Sequence, residues 1–129
     1  MRIDYQTWLD VVSDIEEYIP KLIQACDSIS ELFYENMDDE KWSIFGQLLD
    51  GFENLYKSLY MTVEDAKDHC PKLYEQLNSL VDRFPQQFIM LQEELKEENF
   101  VAVADLIKYE WSGLLADVLN TIKETKKNE

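Results

Sequence analysis

Glycine, proline, cysteine and histidine are all scarce in this chain: three, three, two and one among 129 residues. So few turn formers exclude a many-stranded sandwich or barrel, which needs a reversal about every ten residues. Two cysteines make no disulfide framework. Cys26 falls on an apolar helical stripe, where a reduced thiol behaves as a small hydrophobe, and both Cys26 and Cys70 are expected to be free thiols in a reducing cytoplasm. A single histidine, His69, excludes the paired Glu-x-x-His pattern with which four-helix bundles hold two carboxylate-bridged metal ions. Bases are short as well, 12 Lys and Arg against 27 Asp and Glu, for a formal net charge of −15. Nucleic-acid backbones and anionic membranes repel such a chain, so neither is an expected partner. No run of 18 uncharged apolar residues occurs, and the opening MRIDYQTWLD carries no apolar stretch of the secretory kind. A soluble, cytoplasmic protein is expected.

What the chain does have is 46% apolar residues, enough for one core, and long stretches in which they recur at steps of three and four. From Tyr5 the seam runs Trp8, Val12, Ile15, Ile19, Leu22, Cys26, Ile29 and Phe33. Its flanks are apolar too, Leu9 and Ile23 on one side and Val11, Tyr18, Ala25 and Leu32 on the other. That is too wide a stripe for a two-stranded coiled coil, so this helix should touch two neighbours. Pro20 lies inside the seam without disturbing its phase, which predicts a kinked continuous helix.

The cluster Met37-Asp38-Asp39-Glu40 offers a turn and an acidic N-cap. A second helix follows on Trp42, Phe45, Leu49, Phe52, Tyr56, Leu59, Val63 and Ala66, ending near His69. Pro71 suits the first turn of a third helix, where its missing donor is harmless. The third seam passes Leu77, Phe84, Phe88 and Leu91 and kinks or restarts at Pro85. Asn99 is a plausible cap for a fourth helix on Phe100, Ala104, Ile107, Trp111, Leu114, Val118 and Ile122, after which Lys123 to Glu129 should fray. Four helices joined by very short connections predict a single all-α domain over residues 1–129, an antiparallel bundle kinked near Pro20 and Pro85.

Chemistry is hard to find in it. Asp65 and His69 stand one helical turn apart, a weak surface ligand pair at best, and a solvated histidine at a helix C-terminus, where its charge suits the dipole, is the favoured reading. Glu93-Glu94-Leu95-Lys96-Glu97 resembles the first half of the magnesium motif of all-α nucleotide pyrophosphohydrolases. The second half, Glu-x-x-Asp, is missing, since Gly113 follows Glu110 at that spacing and Lys127 follows Glu124. Nucleophile elbow, phosphate loop and paired-cysteine motifs are absent, so no catalytic residue, metal ligand or cofactor is assigned.

Aromatic residues make up 12% of the chain. Most fall on the seams, but Tyr18, Tyr34, Tyr60 and Tyr109 lie at or beyond the stripe edges, where an apolar body with a polar tip suits a partner contact as well as an ordinary boundary position. The second flank of helix one is the stronger candidate surface. Residues 99–111, NFVAVADLIKYEW, resemble an Ala-Asp-Leu-Ile/Leu-x-Tyr-Glu stretch that opens the last helix of small all-helical bacterial proteins of unknown function, carried here by Ala104, Asp105, Leu106, Ile107, Tyr109 and Glu110. That resemblance implies no activity. In size, acidity and helix content the chain is also similar to flagellar and type III export chaperones, as a class. The expectation is a non-enzymatic interaction module, an adaptor, export chaperone or inhibitor, whose protein partner is basic or helical. The alternatives are a magnesium-dependent hydrolase using Glu93, Glu94 and Glu97, and a structural or homodimeric role.

Overall fold

The computed structural model describes residues 3–127, and among them there is no strand. Helix α1, Tyr5–Ser30, starts where the Asp4 carboxylate accepts the Thr7 backbone N–H at 2.7 Å, filling one of the donors a helix start leaves free. It runs unbroken through Pro20, whose ring is exposed, so the continuous reading holds and a break does not occur. The α-helix stops three residues short of the seam. Ser30 turns its hydroxyl back onto the Asp27 carbonyl at 2.9 Å, and Glu31–Tyr34 tighten into a 3-10 turn that still buries Phe33.

Helix α2, Asp39–His69, is capped as the acidic cluster predicts. Asp38 accepts the Lys41 N–H at 2.8 Å, Asp39 and Glu40 sit in the first turn, and Lys67 and His69 in the last, each sign where the helix dipole favours it. Pro71 opens α3, Pro71–Val81, and α4 follows as Arg83–Lys96. The chain therefore restarts at Asp82 rather than kinking at Pro85. Pro85 is the third residue of α4, where its missing N–H costs nothing, and its ring would otherwise oppose the carbonyl of Val81, the last residue of α3.

The fourth rod is α5, Phe100–Asp105, then a π-helical turn, Leu106–Trp111, then α6, Ser112–Lys127. Periodicity gave no sign of the π turn. Its extra residue per turn accommodates adjacent side chains Leu106 and Ile107, both buried, and the Ser112 hydroxyl donates to the Ile107 carbonyl at 3.4 Å. The predicted fraying from Lys123 is corrected as far as Lys127. Thr125 is buried and its hydroxyl bonds Gln76 Oε1 at 3.1 Å, while Lys126 pairs with Glu16 at 2.7 Å. Residues 128 and 129 of that tail lie outside the described residues.

The rods close a ring in which α1 packs on α2 and α6, and α3 on α2 and α6, with α4 laid against α5 and the π turn. Neighbours run antiparallel, as residues facing each other show: Val11 with Ser58 but Ile29 with Ile44, and Trp8 with Thr125. The core is aromatic at its centre. Phe52 of α2 lies 4.0 Å, centroid to centroid, from Trp111 and 5.2 Å from Phe84, and burial of each such ring contributes about 1.5–3 kcal/mol. At one end the Trp8 indole N–H donates to the Thr62 carbonyl at 3.0 Å, tying α1 to α2. None of the helices is long and apolar enough to cross a membrane among the described residues.

Candidate interaction groove

Because α1 has apolar residues on both flanks of its seam, its two neighbours divide them. Leu9 faces α6 beside Ile122, while Val11, Tyr18 and Ala25 face α2 and stay partly open. Leu32, predicted on the same flank, is carried into the 3-10 turn, and Ile29 takes its place. The α2 wall is built of Ile44, Gln47, Asn54 and Ser58, mostly short or polar, so the two helices enclose a trough that their own side chains do not fill. It holds two cavities, of about 410 Å³ around Val11, Ile15 and Leu55 and about 260 Å³ around Ala25, Ile29 and Ile44.

Tyr18 lines both cavities and lies between them. Gly51 makes this possible. A methyl group built on Gly51 would stand 2.7 Å from the Tyr18 hydroxyl oxygen and 3.4 Å from Leu22 Cδ1, so any larger residue there would displace the ring. The rim is acidic on the Val11 side. Asp14 lines the larger cavity, and Asp10 and Glu17, within a turn of it on the same helix, are exposed, as is Asp50 one turn before Asn54 on α2. Lys21 stands at the smaller cavity.

The other three candidate tyrosines are placed elsewhere. Tyr34 donates its hydroxyl to Asp105 at 2.8 Å, pinning the 3-10 turn to α5, and that bond to a carboxylate pushes its pKa up to about 12. Tyr60 is exposed on α2 and meets Tyr56, which with Phe88 lines a cavity of about 350 Å³ between α2 and α4. Tyr109, exposed on the π turn, borders a cleft of about 330 Å³ with Met90, Glu93 and Glu94. The four rings thus do not form one surface.

That last cleft also gathers Asp105 and Glu110, whereas Glu97 is exposed and does not line it. Oε2 of Glu94 is buried without a hydrogen-bond partner. Even so, among the described residues no three His, Cys, Asp or Glu side chains are close enough together to hold a metal ion. His69 is engaged otherwise: its Nε2 meets the Ile3 carbonyl oxygen at 2.9 Å, and a carbonyl only accepts, so that nitrogen carries the proton. Its ring packs against Tyr5 and Trp8. Both cysteines are buried outside any disulfide, and burial pushes the Cys26 thiol up to about 12, which keeps it protonated and unreactive.

Sequence reasoning found the α1 half of the trough and missed the α2 half. The available signal was Gly51 and Ser58, seven residues apart and so on one face of α2, short side chains that leave a wall low. Residues 10–124 match the model of a family described as a domain of unknown function (DUF8042). No curated protein and no solved structure matches the chain.

Proposed function

We propose that this chain, which belongs to the DUF8042 family, is a non-enzymatic protein-binding module that takes one amphipathic helix of a partner, basic along its flank, into the α1–α2 groove. The observation that carries the reading is the trough itself: two adjoining cavities along one pair of helices, apolar-floored and acidic at the rim of the Val11 end. From Val11 to Ile29 it extends about 27 Å along α1, the length of a five-turn helix. Helix-in-groove recognition uses such a surface, with apolar anchors supplying affinity and charge supplying encounter rate and orientation. The net charge of −15 supports a basic partner. Two buried cysteines outside any disulfide support a reducing compartment, which we take to be the cytoplasm.

Affinity capture with the whole chain at low and at high salt, run beside an Ala25→Trp variant, tests this. Ala25 is partly exposed on the groove wall, so a tryptophan there fills the smaller cavity of the trough without entering the core. A partner recovered by the parent chain, and recovered less both with added salt and with the variant, is the expected result. Recovery indifferent to both salt and the variant would remove the groove from the account.

A further inference from the structure

Resting on that reading, we infer that the groove is bipartite and selects a partner helix with two apolar anchors about two turns apart, separated by a small residue that passes over Tyr18. A uniform trough would accept apolar residues in many registers. This one does not present a uniform floor, because Tyr18 lies across it, with its hydroxyl close over Gly51, and parts the larger cavity from the smaller. A helix lying along the groove meets that ring midway, so it needs glycine, alanine or serine there.

Spacing follows from the helix rise. The larger cavity is centred near Asp14–Ile15 on α1 and the smaller near Leu22–Ala25, a separation of about 13 Å at 1.5 Å per residue. On α2 the same two cavities are centred near Leu55 and near Gln47, again about 12–14 Å. Residues i and i+8 of a partner helix lie about 12 Å apart along its axis and still share one broad apolar face, whereas i and i+4 lie only about 6 Å apart and both fall on the same side of Tyr18.

The two cavities also differ in what they take. About 410 Å³ beside Asp14 suits an aromatic anchor flanked by Lys or Arg, because Asp14 lines it and Asp10 and Glu17 are exposed within a turn of Asp14 on α1. About 260 Å³ beside Lys21 suits an aliphatic anchor with no base next to it. The partner is thus a helix carrying a base-flanked aromatic residue, a small residue one turn on, and Leu or Ile a further turn on.

Two fluorescently labelled synthetic peptides of identical composition decide it by anisotropy against the whole chain. Each is a lysine-bearing, alanine-rich helix with one Phe; the first has Ala at i+4 and Leu at i+8, the second Leu at i+4 and Ala at i+8. The first should bind about tenfold more tightly, the factor expected when one leucine gains or loses its cavity. Ala25→Trp, which fills the smaller cavity, should abolish that difference while leaving the weaker binding in place. Equal affinity for both peptides would overturn the bipartite groove and leave the general groove reading standing. Binding of neither would overturn both.

Discussion

Glu98 is the residue whose backbone is out of character with its side chain. Its φ of 57° places it in the left-handed region, where glycine is the usual occupant and a Cβ costs about 1–2 kcal/mol. The reason lies in how α4 ends. Glu98 N–H bonds the Leu95 carbonyl at 3.1 Å and Asn99 N–H bonds the Glu94 carbonyl at 3.0 Å, which reverses the chain toward α5. Glu98→Gly should therefore raise stability by about 1 kcal/mol in urea denaturation; no gain would mean that the glutamate side chain compensates for its backbone. The sequence carried the turn but not its pivot. A polar run from Glu93 to Asn99 marks where a helix stops, yet nothing in a glutamate announces a positive φ. Asn99, the expected cap, occupies the cap position without a side-chain capping bond.

Among the elements, α1 and the fourth rod each carry one irregularity, of opposite legibility. Pro20 was plain in the sequence, and α1 absorbs it. Proline at an exposed interior position forfeits a bond to the Glu16 carbonyl, so Pro20→Ala should add on the order of 2–3 kcal/mol and raise the melting temperature. A fall in stability would instead show that the shape Pro20 imposes on α1 is needed to seat it between α2 and α6. The seams themselves were legible because burial follows the helical repeat, and Trp8, Val12, Ile15, Ile19, Leu22 and Cys26 are all buried. The π turn was not, because a one-residue widening is decided by which of Leu106 and Ile107 must reach the core, a tertiary matter. The restart at Asp82 was half legible: Pro85 signalled an interruption, but its place in the first turn of α4 moves the break three residues upstream.

Taken whole, the molecule is a closed ring of helices under strong negative charge. With 27 acids against 12 bases, self-repulsion opposes the folded state, and salt screens it over about 8–10 Å. Its melting temperature should accordingly rise by several degrees between about 20 and about 500 mM NaCl, against the weakening that salt imposes on partner binding. A melting temperature that falls with salt would assign the net stabilisation to ion pairs such as Lys126–Glu16. One half of the groove was readable because surplus apolar residues on α1 have to be covered by something; the other half is defined by small side chains, whose effect is the space they leave. The tryptophans show the same molecule by its light. Trp111 is wholly buried, its ring tilted against Phe52, and its indole N–H has no hydrogen-bond partner, so its excited state finds little polarity around it to relax into and emits at the blue end of the indole range. Trp8 gives its N–H to a carbonyl, and Trp42 stands half in solvent. One chain thus carries a dry, a bonded and a wet indole, and a red shift of the first reports loosening of the central aromatic layer.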